Sequence, residues 1–421
     1  MTVPRIFGVL LAAVTLGLVN EVRTAASDRV FPDVFTRVGV LIDQLPNAMT
    51  DAQVQFVATH FVGSQKLTAD ISARLRGVNP GFIVLHYRLA NWQGAPGVAY
   101  IRDGRTWSSD FAEVDPHEDW FWHTPSGQRV ASNQDGKLLM NVASSGFRAY
   151  WRDSLAEQVT AGDYDGVFLD SASPALLQSE ARMPPDPRLS GTGVRVNRMP
   201  ELGDRTWIEA WQDWIVDLDA WLAARKVPLI PNVGQLITTW DTTDYSLTAG
   251  AFSEGFLDPR FAESDWRDAA NHTLDFVRKD RIVILQNYLS RPDDVARRKY
   301  LLANYLLVKG ARTYVAYFVN GLPLEWYPEW DVQLGQPLSS AATIDELARN
   351  GVYRRDFTAG TVLVNPSPHP VRVALDRTFR RVDFVGGGPI GLDGVPDGTL
   401  ETVPVTSVDL APASAEILLH D

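Results

Sequence analysis

Tyr164-Asp165-Gly166-Val167-Phe168-Leu169-Asp170-Ser171-Ala172-Ser173 decides the reading of the chain. Val167, Phe168 and Leu169 make the apolar run of a buried strand, and the run stops on a carboxylate, Asp170. Two small residues and then Ser173 and Pro174 follow, so the chain turns away directly after the acid. In a parallel barrel the C-terminal end of a strand is where catalytic side chains point. Asp165 falls at the opposite, structural end. Taken alone, Asp170 reads equally as a cap for the next turn. A second stretch of the same design, Thr248-Ala249-Gly250-Ala251-Phe252-Ser253-Glu254-Gly255-Phe256, delivers Glu254 at its end. Two carboxylates on two strand ends are what glycosidic bond cleavage requires: one acid, and one nucleophile or base.

Outward from these stretches, short apolar runs alternate with helical patterns, the rhythm of βα units. Strands are expected at 38–42, ending at Asp43, at 55–60, and at 82–86, followed by Tyr87, Arg88, Asn91 and Trp92. His60 and His86 then fall near strand ends. An insertion over 93–137, rich in Gly, Pro and aromatics, follows; it reads either as a wall of the cleft, with Trp92 or Trp122 stacking on a sugar, or as a self-packed excursion. Ser144 or Ser145 caps a helix with Phe147, Trp151, Leu155 and Val159 on one face, which leads into the Asp170 strand, the fourth. The stretch 178–202 lacks periodicity and reads as a loop.

From Asp204 a helix carries Trp207, Trp211, Trp214, Leu218 and Leu222 as a core stripe. Strand five is 228–232, ending in Asn232. Glu254 closes strand six, and strand seven, 281–287, ends in Gln286 and Asn287. Pro292 opens a helix in its first turn, Gly310 ends it, and 312–318 is strand eight, bearing Tyr317, with Asn320 beyond it. Past Gly351 the pattern turns to strands alone. The expected fold is α/β: a (β/α)8 TIM barrel over 27–345, then a small all-β sandwich domain over 350–421.

At 421 residues the chain exceeds the roughly 250 that such a barrel takes, leaving room for that module. A net charge of −12 argues against a nucleic-acid partner, which calls for a basic face. The first 26 residues read as a cleaved secretory signal: Arg5, an apolar run over 6–19, and Thr24-Ala25-Ala26. That run is too short for a spanning helix, so the mature protein is expected to be exported, with no stable membrane span. Without cysteine it has no disulfide framework. Asn271-His272-Thr273 matches a glycosylation acceptor.

Asp170 and Glu254 are the catalytic candidates. Asp43, His86, Tyr87, Trp92, Asn232, Gln286, Asn287 and Tyr317 are candidates for binding sugar hydroxyls and rings. No metal and no cofactor is expected, the partner is a carbohydrate, and the sequence leaves the oligomeric state open. Two rival classes stand beside this reading. In one, His60 and His86 ligate zinc with Asp43 or Asp170; in the other, the barrel binds a glycan without cutting it.

The runs Leu139-Met140-Asn141-Val142-Ala143, Phe147-Arg148-Ala149-Tyr150-Trp151-Arg152-Asp153 and Tyr164 to Ser171 resemble the approach to strand four in α-glycosidase barrels, among them polygalactosaminidase-like and clan D hydrolases. With Ser253-Glu254-Gly255 and the stretch from Arg355 to Pro366, they make the chain similar to the hypothetical glycosyl hydrolase family 15. The resemblance implies Asp170 as nucleophile, Glu254 as acid/base, retention of configuration, and a β-sandwich after the barrel.

Overall fold

The structure, a computed structural model, describes residues 29–46, 48–94, 110–123, 127–132, 136–172, 207–236, 243–319 and 324–421. The expected leader, the stretch 178–202, Asn320 and part of the 93–137 insertion lie outside these residues.

Eight parallel strands organise the first three quarters of the chain: β1 Leu41–Ile42, β2 Gly63–Gln65, β3 Ile83–Leu89, β4 Gly166–Asp170, β5 Leu229–Pro231, β6 Gly250–Glu254, β7 Ile282–Leu289 and β8 Thr313–Val319. They form a five-stranded sheet, β1 to β5 in order, and a three-stranded sheet, β6 to β8 in order. Single parallel bridges join the sheet edges, Asn232 to Phe252 on one side and Val40 to Val315 on the other. Helices lie in six of the seven crossovers: α1 Asp51–His60, α2 Ala69–Val78, α3 Ser145–Gly162, α4 Trp207–Ala223, α5 Glu263–Arg278 and α6 Val295–Val308; between β5 and β6 the described residues hold only the 3-10 turn Tyr245–Leu247. Among the described residues no helix is long and apolar enough to cross a membrane.

The second expected strand is a correction: 55–60 is the body of α1. Thr50 and Gln53 form a reciprocal capping box at its start, which fixes a helix whatever the apolar run behind it suggests. The true second strand, Gly63–Gln65, is three residues long. It lies close against β3, since a Cβ at Gly63 would meet the Ile83 carbonyl oxygen at 2.3 Å. Ser144 caps α3 as its sequence suggests. The helix after β7 begins at Val295 rather than at Pro292, with the Asp294 side chain accepting from the Arg297 amide.

Side chains alternate across a strand, and this divides the core in two. Leu41, Ile83, Leu85, Tyr87, Phe168, Ile230, Phe252, Ile282, Ile284 and Tyr314 pack with one another between the sheets, together with Phe31 and Val34 from the N-terminal segment. The intervening residues, such as Val167, Leu169, Val283, Leu285 and Val315, face the helices, where Trp151, Trp211, Trp214 and Trp266 are fully buried. The Trp211 and Trp214 part of the α4 stripe is thus core.

The C-terminal region is all-β: six antiparallel strands form one hydrogen-bonded sheet, and Val352, Leu363 and Leu418 share a core with Val371, Val373, Val408 and Leu410 of its long hairpin. The order of the sheet is Ala348–Arg349, β9 Val352–Phe357, β10 Gly360–Asn365, β13 Ser414–His420, β11 Val371–Val385 and β12 Thr399–Leu410. β11 is fifteen residues long and bends at a register shift between Ala374 and Phe379. The sheet is tied to the helices around the parallel strands at several points, among them Lys299 of α6 to Glu416. Buried Arg355 of β9 donates to the carbonyls of Leu306, Leu307 and Lys309, which closes the C-terminal end of α6. The loop between β11 and β12 runs over Arg298 and on to α1. There the Thr50 hydroxyl donates to the Leu392 carbonyl at 2.6 Å and the Gln53 amide to the Gly391 carbonyl at 3.1 Å. Gly386, Gly387 and Gly388 all have positive φ in this loop, and a Cβ at Gly387 would press on Pro328 and the Arg298 guanidinium.

Arg298 itself is fully buried and meets Glu329 through two bonds of 2.7 and 2.6 Å, with the Pro292 and Gly386 carbonyls taking another nitrogen. Removing one partner of such a pair strands a buried charge, which costs about 3–5 kcal/mol. Arg298→Met should therefore lower the free energy of unfolding by that amount, and adding Glu329→Gln should restore part of it. Denaturant unfolding of both variants checks this; a double variant no better than the single one would place the loss in packing instead.

Candidate active site

The strand ends bring Asp170, Glu254 and Asn232 together. Each is the inward-facing residue at or just past the end of its strand, two positions after Phe168, Phe252 and Ile230, which floor the space beneath. The Asn232 Nδ2 donates to Asp170 Oδ1 at 2.9 Å and to Glu254 Oε2 at 2.7 Å. One amide nitrogen thus holds both carboxylates. The two oxygens can be no farther apart than these bonds laid end to end.

Asp170 also accepts from the Tyr87 hydroxyl at 2.5 Å and from the Ser171 amide at 2.9 Å. Ser171 has φ of 54°, a left-handed conformation costly for a residue with a Cβ; it swings the amide back onto the preceding side chain. Glu254 accepts from the Tyr288 hydroxyl on its other oxygen. Burial first, and then the Asp170 charge, push the Glu254 carboxyl up to about 7, against the opposing pull of Asn232.

Asp43 joins the site from the end of β1 but is itself engaged. Lys66 reaches both its oxygens, at 3.0 and 3.2 Å, and the amides of Gln65 and Gln44 donate to it. The Lys66 ammonium also lies 4.8 Å from the Tyr87 ring centre, within reach of a cation–π contact. Gln286, in register with Glu254, is buried with its side-chain oxygen unpartnered.

Four sequence candidates stand elsewhere. His86, Asn287 and Tyr317 occupy the outward positions of their strands. His86 pairs with Gln158 of α3 at 2.9 Å and packs on Tyr164. Tyr317 donates to the Arg298 carbonyl and packs against Tyr327 and Trp330. Asn287 is buried on the same outward side as Leu285 and Leu289. Trp92 is 3% exposed, and Trp122 is equally buried; Trp92 pairs with Leu139 in a short antiparallel ribbon. These rings are core and not platforms.

The zinc arrangement is not formed either. His60 ends a helix, stacks on Phe56 at 3.9 Å and meets the edge of Trp326, on a different element and in different surroundings from His86. Among the described residues no cluster of three or more His, Cys, Asp or Glu is placed to hold a metal. The residues that the sequence reading missed are Gln65, Lys66 and Tyr288. The first two follow a strand that was misplaced, and Tyr288 lies beyond the expected end of β7.

Residues 76–361, more than half of the chain, match the family described as hypothetical glycosyl hydrolase family 15. The chain belongs to that family. It is a glycoside hydrolase, and Asp170 and Glu254 both fall within the matched segment. No curated protein matches it in sequence. Among solved structures it is similar to a noncanonic maltogenic α-amylase from Thermotoga neapolitana, at 11% identity over 90% of this chain and 98% of that one, with a TM-score of 0.42. It is also similar to trehalose-6-phosphate hydrolase from Bacillus licheniformis, at 10% identity over 91% and 100%, with a TM-score of 0.48. A third is an α-galactosidase from Geobacillus stearothermophilus, at 10% identity over 91% and 55%, with a TM-score of 0.43. At this level of similarity nothing about the chemistry of this chain follows from them.

The Glu254 carboxyl bears on stability as well. Its folded-state value of about 7 lies above the ordinary 4.5, so as pH rises the unfolded chain releases the proton first. Stability therefore falls between those two values, and the deficit is complete above about pH 7. Glu254→Gln should stabilise the protein at pH 8, by an amount on the order of 2–3 kcal/mol, and leave it unchanged at pH 4. Urea unfolding at the two pH values checks this; an equal gain at both would exclude the charge as its cause.

Proposed function

We propose that this glycoside hydrolase is a closed (β/α)8 barrel, exported by its N-terminal segment, that cleaves an oligo- or polysaccharide with retention of configuration. The observation that carries the mechanism is the Asn232 nitrogen shared by both carboxylates. Two hydrogen bonds laid end to end fit the roughly 5–5.5 Å of a retaining pair and fall short of the roughly 6.5–9.5 Å that leaves room for water. Closure of the barrel is supported by the bridges Val40–Val315 and Asn232–Phe252, one at each junction of the two sheets. Export is supported by the residue pattern of 1–26 alone.

In the first step the Asp170 carboxylate attacks the anomeric carbon while Glu254 gives its proton to the glycosidic oxygen. The carbon–oxygen bond breaks, the leaving group departs as an alcohol, and a glycosyl ester remains on Asp170. In the second step Glu254, now a carboxylate, takes a proton from water as that water attacks the same carbon, and Asp170 is released. The Glu254 setting suits the acid role, since a carboxyl with a value of about 7 still carries its proton near neutrality. The three donors on Asp170 suit an anion.

The test begins with release assays on a panel of glycans, including α-galactosides, arabinans and galactosaminoglycans. On whichever is cleaved, proton NMR of the first-formed product should show the anomer of the substrate; the opposite anomer would make the enzyme inverting. Asp170→Asn should abolish turnover on every substrate. Glu254→Gln should lower kcat on the natural glycan roughly 10²–10⁴-fold while sparing transfer from an aryl glycoside whose leaving group needs no proton. Wild-type kcat/KM should decline above about pH 7 as the acid ionises. Near wild-type rates for both variants would overturn the assignment.

A further inference from the structure

The two carboxylates divide the strand ends into unlike halves. On the side of β1 to β4 the surroundings are polar and charged: Asp170, Tyr87, Lys66, Asp43 and Gln65 bond to one another in a continuous set. On the side of β7 and β8 they are aromatic. Tyr288 is the inward-facing residue beyond Gln286, it is 40% exposed, and its ring meets Phe318 edge-on at 5.7 Å and 88°.

Glu254 spans the boundary. Its Oε2 is turned inward to Asn232, and its Oε1 outward to the Tyr288 hydroxyl. An acid can give its proton only to an oxygen that touches it, so the departing group must lie along the outward oxygen. We propose that Tyr288, backed by Phe318, forms the wall of the leaving-group subsite, and that the leaving group it accepts is a sugar ring. This rests on Glu254 being the acid of a retaining pair.

The chemistry of the wall selects its occupant. An exposed phenol offers a flat apolar face, which suits the C–H face of a pyranose. The wall is also fixed in place. Arg297 donates to the Tyr288 carbonyl at 3.0 Å and pairs with the buried carboxylate of Asp258, which β6 leads into. The guanidinium is therefore engaged in holding the strand end. Tyr288 contacts the leaving group in this account, and the glycone is held by the charged half.

The test compares Tyr288→Ala and Tyr288→Phe with wild type on two substrates: the oligosaccharide identified by the glycan panel, and the glycosyl fluoride of the same glycone. The fluoride has no leaving-group ring and needs no proton to depart. Tyr288→Ala should lower kcat/KM on the oligosaccharide, relative to the fluoride, about tenfold or more. With the fluoride as donor, it should also lose transfer to an added sugar acceptor. Tyr288→Phe keeps the ring, so its KM for the oligosaccharide and its ratio of acceptor transfer to hydrolysis should stay near wild type even where loss of the phenol slows proton transfer. Equal losses on both substrates, no loss on either, or a Phe variant as poor as the Ala variant in KM and in that ratio would overturn the proposal. A first-formed wild-type product of the inverted anomer overturns the retaining reading, and the subsite with it.

Discussion

Two carboxylates within one hydrogen-bonding radius of a single amide nitrogen are the constraint on which the site depends. Like charges so close cannot both ionise without cost, and the surroundings resolve the conflict unequally. Asp170 accepts from Tyr87, Ser171 and Asn232. Glu254, desolvated by burial and facing that charge, is driven towards its protonated form. The same amide that orients the pair pulls against the rise at Glu254, and burial and the neighbouring charge outweigh it. Removing it would release both carboxylates at once, which is why Asn232 matters although it exchanges no proton.

The backbone accommodates this at the ends of alternate strands. Lys66, Ser171 and Gly255, which follow β2, β4 and β6, all have left-handed φ, of 59°, 54° and 85°. For Lys66 and Ser171 that conformation is unfavourable, and strain of this kind persists where the surroundings over-determine it. Here the bonds from Lys66 to Asp43 and from the Ser171 amide to Asp170 do so. At each of these ends the chain leaves its strand abruptly after the last inward side chain, Gln65, Asp170 or Glu254.

Much of this was legible in the sequence because the informative residues end clean apolar runs. Val167 to Leu169 and Ala251 to Ser253 run up to Asp170 and Glu254 at the ends of their strands, and 228–231 leads to Asn232. What was not legible has two physical causes. Gly63-Ser64-Gln65 is too short and too polar to read as a strand, whereas Val54 to Ala58 imitates one; the capping pair Thr50 and Gln53 was the available signal. The other cause is parity. His86, Asn287 and Tyr317 lie near strand ends, as expected, but one residue out of phase with the inward face. Counting in twos from Ile282 and Ile284 gives Gln286 and then Tyr288, and it excludes Asn287. The C-terminal region was recognised as all-β, but nothing in its sequence marks the bend in its long hairpin.

The bond from Arg355 to the end of α6, and the loop laid across Arg298 to α1, bear on the order in which the protein can be completed during synthesis. The carbonyls of Leu306 and Leu307 in the last turn of α6, and of Lys309 just past it, receive the Arg355 guanidinium only when β9 has been made. The first helix of the parallel region receives its contacts from Gly391 and Leu392 later still. A nascent chain that has just finished β8 therefore holds every catalytic side chain but not a finished scaffold. α1 gains those two partners only after β11 has been made. The strand ends that carry the carboxylates are thus complete in sequence before the helices beside them have all their contacts.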